Sequence, residues 1–158
     1  MKLPKRRKLE KKTDYNARFN LLKSNQKRLV VRKTNRYIIA QIVETKIAQD
    51  KVLIGITSKI LLNRGWPKAK AGSLKSIPAS YLTGFLLGKL AQKQDIKKLV
   101  FDIGMHRNIH KSRLYSLLKG ALDSGLQISY SSEILPSDED LQKNENLYSM
   151  INKLKDKM

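Results

Sequence analysis

Two short apolar runs meeting at a polar turn set the pattern of this chain. In the first, Leu29 and Val31 alternate with Arg28, Val30 and Arg32; in the second, Ile38, Ala40 and Ile42 alternate with Tyr37, Ile39 and Gln41. A period of two, with one apolar face and one basic, aromatic or amide-bearing face, predicts a half-buried antiparallel hairpin. Its turn falls at Lys33-Thr34-Asn35-Arg36, where Asn35 best tolerates a left-handed backbone. A third strand over 51–57 sends Val52, Ile54 and Ile56 to one side. Ahead of the hairpin, Tyr15, Phe19 and Leu22 share a helical face. Thr13 is placed to cap that helix, with Asp14 favoured by the dipole in its first turn, and Ser24-Asn25-Gln26 to break it.

Beyond the strands, residues 63–77 carry Gly65, Pro67 and Gly72 among several lysines and the sole Trp66, and predict a long basic loop. Pro78 suits the first turn of a helix whose stripe is Tyr81, Leu82, Phe85, Leu86 and Leu90. Gly84 and Gly88, one turn apart, would let that helix approach the sheet closely. Leu99–Gly104 predicts a buried strand. Ser112 is placed to cap a helix with Leu114, Leu117, Leu118, Ala121 and Leu122 inward, closed by a left-handed Gly125. Leu126, Ile128 and Tyr130 alternate as a last strand, and Ser137 and Asp140 have capping-box spacing at the start of a C-terminal helix. The expected fold is α/β: a mixed sheet, with a three-strand antiparallel meander and then strand–helix units, and helices packed on one face. The expected division is a basic arm over 1–12, a body over 13–135 and a helical tail over 136–158.

Charge changes the picture. The 158 residues hold 33 Lys and Arg against 13 Asp and Glu, a formal net of +20, and 41% are hydrophobic. The chain can therefore bury a core, yet it repels itself unless a polyanion neutralises it. Residues 1–36 alone carry 14 basic and 2 acidic side chains. Nucleic acid is the partner this pattern favours. With no cysteine, disulfides and cysteine-based zinc sites are excluded. No apolar stretch reaches the ~20 residues that span a bilayer, and the start lacks the apolar run of a signal peptide, so a cytoplasmic setting without membrane is expected.

Lys5, Arg6, Arg7, Lys8, Lys11 and Lys12 can neutralise phosphates as an extended arm, disordered until bound. Arg28, Arg32, Lys33 and Arg36 lie on or beside a strand pair, and Tyr37 offers a ring to a base or ribose. The loop around Trp66 reads equally as a backbone clamp or as a plug at the edge of the core. Asp102, at a strand end, is a candidate metal-binding carboxylate of a nuclease if Glu44 and Asp123 converge on it. His106 and His110 are four apart without the metalloprotease pattern and fit a basic loop better than a metal site. No metal or cofactor is expected. A general DNA-architectural protein is the other competing reading.

The segments 12–24 (KTDYNARFNLLKS), 28–42 (RLVVRKTNRYIIAQI), Gly65-Trp66, 81–91 (YLTGFLLGKLA), Asp102-Ile103-Gly104, 112–128 (SRLYSLLKGALDSGLQI) and 133–139 (EILPSDE) occur in register. Together they resemble the universal 5S rRNA-binding protein family of the large ribosomal subunit, protein eighteen, in its archaeal and eukaryotic branch. The resemblance implies a non-catalytic α/β body whose basic extension embraces 5S rRNA and fixes it to the large-subunit 23S-type rRNA, beside neighbouring large-subunit proteins. It carries the RNA-contact role onto Lys5 to Lys12, Arg18, Arg28, Arg32, Lys33, Asn35 and Arg36. Less directly it reaches Lys68 and Lys70, in a loop likewise basic in relatives, and Lys111 and Arg113, before a matching helix. Two departures stand out: Asp140-Leu141-Gln142-Lys143-Asn144 where relatives place an arginine and a glycine, and Lys111-Ser112-Arg113 where Gly-Ser-Arg is common. The short C-terminus favours the archaeal type.

Overall fold

A computed structural model describes residues 5–10, 12–47 and 49–142; Lys11 and the tail expected beyond Gln142 lie outside the described residues. The helices are α1 (Arg6–Leu9), α2 (Tyr15–Lys23), α3 (Ile77–Gln92), α4 (Arg113–Asp123) and α5 (Asp138–Gln142). The strands are β1 (Arg28–Lys33), β2 (Ile38–Lys46), β3 (Gln49–Thr57), β4 (Lys98–Asp102) and β5 (Gln127–Ile128). They form one sheet in the order β3-β2-β1-β4-β5. The meander is antiparallel, whereas β1 pairs with β4, and β4 with β5, in parallel. The expected mixed sheet is therefore present, with β1 at its centre.

Register sorts the faces. Leu29 lies opposite Ile42 and Val31 opposite Ala40, and all four are fully buried. Ile54 and Ile56 continue this inner face on β3. A bulge at Ile42/Val43 sets Val52 opposite Val43 on the outer face, so Val52 does not share the inner row expected with Ile54 and Ile56 and is 48% exposed. Leu86, Leu87 and Ala91 of α3 and Leu114, Leu117, Leu118 and Ala121 of α4 complete this core.

The two helices touch backbone to backbone. A β-carbon on Gly84 would lie 2.0 Å from the Leu117 carbonyl oxygen, and one on Gly120 would lie 2.0 Å from that of Tyr81. The close approach expected of Gly84 and Gly88 is real, but it is made to α4 and not to the sheet. Apolar spacing told which residues were small without telling which surface they met.

α3 is buried nearly all round, because a second cluster packs on it. Leu61, Trp66, Leu74, Tyr81, Leu82 and Leu141 form that cluster. The expected loop over 63–77 contains a 3₁₀ segment (Lys68–Ser73) and is entered from another (Ser58–Arg64), both folded around Trp66, which is 2% exposed and donates its indole N–H to the Lys70 carbonyl at 3.1 Å. The plug reading of Trp66 holds.

Several local expectations need correction. The cap of α2 is Asp14, whose Oδ1 accepts from the N–H groups of Asn16 and Ala17, while the Thr13 hydroxyl oxygen accepts from Arg7. A carboxylate outcompetes a hydroxyl for helix N–H groups. No side chain of α2 is fully buried, and Phe19 is 61% exposed. Asn35 is not left-handed; the hairpin turn is closed by Thr34, which exchanges hydrogen bonds with Tyr37 through its backbone and its hydroxyl. Ser112 stands at the N-cap of α4 without bonding a helix N–H. β5 stops at Ile128, with Tyr130 half exposed. By contrast Gly125 is left-handed (φ 100°), and Ser137 and Asp140 form the reciprocal capping box. Among the described residues no helix is long and apolar enough to cross a membrane.

Candidate nucleic-acid interface

The outer face of the sheet is organised by arginine. β1 alternation turns Arg28 away from the apolar core, yet Arg28 is only 2% exposed. Its Nη1 donates to Asp102 Oδ2 at 2.6 Å, and its Nη2 donates to Asp50 Oδ1 at 2.8 Å and to Thr45 Oγ1 at 3.1 Å. Arg18 of α2 reaches the other oxygen of Asp50 at 2.9 Å. Burial pushes the Asp50 carboxyl up, but bonds from Thr45, Arg18 and Arg28 outweigh it and hold the group below its usual range.

These contacts correct the expectation for Arg28. It is a structural cation that ties β1 to β4 and to the start of β3, with no surface left for a phosphate. Arg18 is half committed in the same way. The nuclease idea fails on the same geometry, because the three carboxylates have separate partners. Asp102 is held by Arg28 and Arg32, Glu44 pairs with Lys46 at 3.5 Å, and Asp123 accepts from Tyr81. Among the described residues no three His, Asp or Glu side chains stand together as a metal site.

Arg32, four residues on, is 39% exposed. Its guanidinium donates to the carbonyls of Val31 (2.7 Å) and Asp102 (3.0 Å) and to Asp102 Oδ1 (3.2 Å). Asp102 Oδ1 also accepts from the Gly104 N–H at 2.8 Å, which closes the Asp102-Ile103-Gly104 turn. The next turn brings His106 back to the hairpin, where its Nε2 accepts from the Lys33 N–H at 3.0 Å. Burial, then the charges of Arg32 and Lys33, hold His106 below its ordinary value, so the neutral ring is favoured.

The exposed cations fall into three groups. At the hairpin tip, Lys33, Asn35 and Arg36 are exposed on a rigid turn, while Tyr37 is half-buried against the Trp66 cluster. A concavity of about 520 Å³ joins this tip to Arg107 and Arg113 beside His106 and Ser112. The sequence offered Arg113 only as an RNA contact before a matching helix, not beside the hairpin tip, and missed Arg107, whose only signal was its place in the loop between β4 and α4.

In the arm, Arg6–Leu9 is a helical turn and not extended. Glu10 accepts from Arg6 at 2.7 Å and pairs with Lys12 at 2.8 Å, and those bonds hold its carboxyl below the usual range. Lys5 lies over the Tyr15 ring at 4.4 Å, Arg7 bonds Thr13, and Lys8 is exposed. Lys68 is exposed and Lys70 half-buried around Trp66. Lys111 is left-handed (φ 55°) and its ammonium lies 3.5 Å from Asp140, so it is partly spent on docking α5.

A central strand carrying arginine, a cationic hairpin tip and an N-terminal basic arm thus stand on one α/β body. The family profile described as ribosomal large subunit proteins 60S L5 and 50S L18 matches residues 1–98. The chain belongs to this family. Among its relatives, the large ribosomal subunit protein uL18 of Korarchaeum cryptofilum is 44% identical over 151 residues, covering 96% of this chain and 75% of that protein. The uL18 proteins of Aeropyrum pernix and Methanothermobacter thermautotrophicus are each 40% identical. Both alignments cover 87% of this chain, and 63% and 69% of those proteins. The family match takes in the arm, α2, the meander and α3, and the longest alignment is long enough to include α4 as well.

Proposed function

We propose that this chain is a structural constituent of the large ribosomal subunit, working in the cytoplasm. In this reading its arm, hairpin tip and β4–α4 loop grip folded 5S rRNA. They hold it against the large-subunit 23S-type rRNA and neighbouring large-subunit proteins. The observation that carries the reading is the hairpin tip. Lys33, Asn35 and Arg36 are exposed on a turn locked by Thr34, Tyr37 and His106, so two charges and an amide are presented without a large ordering cost. Family membership supplies the ribosomal setting.

Phosphate contacts fix position in this reading, and the shape of the folded RNA with a few unpaired bases supplies selectivity. No residue acts as a catalyst. The division into arm (1–12), body (13–135) and tail (136–158) is kept, with Leu141 seating the start of the tail in the Trp66 cluster. Lys5, Arg6, Arg7, Lys8 and Lys12 of the arm, with Lys11, work as a phosphate-seeking unit, and Lys68, Lys70, Lys111 and Arg113 as outlying contacts.

The test is competition for labelled 5S rRNA at about 150 mM salt, near physiological ionic strength, against excess tRNA and duplex DNA. Retention of 5S rRNA is expected. Log K should fall against log salt with a slope between about −0.7 and −0.9 per neutralised phosphate, shallower after deletion of 1–12. Ready displacement of 5S rRNA by both tRNA and duplex DNA refutes selective recognition and favours a general architectural binder, and a flat salt response refutes the electrostatic account.

A further inference from the structure

The cleft between α2 and the ends of β1 and β4 has a volume of about 770 Å³, within the range of sites that enclose a small organic group. We propose that it receives one unstacked RNA base, laid on the open face of the Arg32 guanidinium. The inference deepens the RNA-binding reading by naming what enters this cleft.

The platform is defined by geometry. A β-carbon placed on Gly104 would lie 2.7 Å from Arg32 Cζ, 2.8 Å from Nη2 and 3.0 Å from Nη1. A point almost equidistant from these three atoms stands above the guanidinium plane, so the group rests flat on Gly104. Glycine is required there twice, for that approach and for its φ of +59°. The edges of the guanidinium are pinned by Val31 and Asp102, as described above. One face is covered and the edges are bonded, which leaves the opposite face as the main exposed surface in the cleft. A fixed guanidinium plane with a free face is a stacking surface for bases.

The charge balance of the walls favours a base over a phosphate. Arg7, Lys12, Arg18 and Arg32 are offset by Asp14, Asp50 and Asp102, so the lining is close to neutral. Apolar surface comes from Ala17 and Leu21 of α2 and from Met105. A phosphate would be better served at the hairpin tip, where the cations outnumber the acids. A planar, uncharged, polar-edged ring fits a half-apolar slot with a cationic floor.

The test compares single-stranded RNA pentanucleotides with counterparts carrying an abasic central residue, by fluorescence anisotropy on the full chain. Each pair has the same phosphates, so the electrostatic contribution cancels. Wild type should prefer the intact oligonucleotide about tenfold, in line with the stacking of one base. Arg32→Lys keeps the charge and lacks the plane, and should bind intact and abasic strands alike. Leu21→Trp, which fills the cleft from its other wall and leaves the Arg32 bonds alone, should also abolish the preference. Wild type that does not distinguish the two strands overturns the proposal, as does a preference that survives in both folded variants. Selection of 5S rRNA over tRNA does not enter this measurement, so the ribosomal reading and the base site fail separately.

Discussion

Arg28→Met removes a cation that the fold has enclosed, and the structure fixes both the size and the kind of effect. Arg28 is 2% exposed, and its partner Asp102 has a side chain 7% exposed. Breaking a buried pair from one side costs about 3–5 kcal/mol, because the remaining charge is left uncompensated. Here Asp102 keeps Arg32 and the Gly104 N–H, and Asp50 keeps Arg18 and Thr45. The loss should therefore sit near the lower end, about 3 kcal/mol. In a chain of this length that corresponds to a fall in Tm of roughly 6–12 °C. Asp102→Leu alone should also destabilise, since Arg28 Nη1 and Arg32 lose their carboxylate while Arg28 keeps Asp50 and Thr45. Combining the two should recover part of the loss, as an apolar pair replaces an ionic one. Urea denaturation with an unchanged m-value measures each difference. RNA binding of the folded Arg28→Met variant should keep its salt slope, which is set by the exposed cations. The reasoning is refuted if the variant stays within about 1 kcal/mol of wild type while its slope shrinks by about 0.7–0.9, for then Arg28 would be a phosphate ligand.

Gly84→Ala gains about 1 kcal/mol of helix propensity, but its methyl would enter the Leu117 carbonyl; a net loss of about 2 kcal/mol or more is expected in urea denaturation. Trp66→Ala should cost about 3–5 kcal/mol through the emptied second cluster, without moving the salt slope. Lys68→Ala with Lys70→Ala should instead leave stability within about 0.5 kcal/mol and reduce the slope. For His106 the folded value lies below the unfolded one, so the folded site resists a proton that the unfolded chain accepts. Its contribution is complete above the ordinary histidine pKa of about 6.5 and is lost as pH falls below it. Thermal melts of the free protein should therefore decline from pH 7 towards 5, and His106→Gln should flatten that decline.

Local periodicity was readable in the sequence, and long-range partnership was not. The hairpin, the buried Leu99 strand, the leucine face of α4, the Gly125 cap and the Ser137–Asp140 box each depend on residues a few positions apart. Arg28 shows the opposite case. In an alternating strand an outward arginine reads as solvated, and its true environment is set by Asp102, 74 residues away. Trp66 likewise carries no local sign of whether it faces RNA or a second core, which depends on Leu141 arriving from the far end of the chain. The cleft was legible only in part. Arg18 and Arg32 drew attention by charge, but the flat seat on Gly104 depends on a loop conformation that composition does not encode.

The distance in sequence between Arg28 and Asp102 also sets a timetable. Synthesis at about 5–20 residues per second delivers Asp102 roughly 4–15 s after Arg28. Throughout that interval the newborn meander has no β4 to pair with, its inner row of Leu29 and Val31 lacks the α4 cover, and Arg28 has only Asp50 and Thr45 of its partners, its Nη1 still open. The emerging chain is therefore stickier than the finished protein and one carboxylate short at Arg28, and is most prone to indiscriminate capture by nucleic acid before Asp102 reaches it. A nascent chain halted ahead of β4 would remain in that state, whereas one that passes it withdraws Arg28 from solvent as the sheet closes.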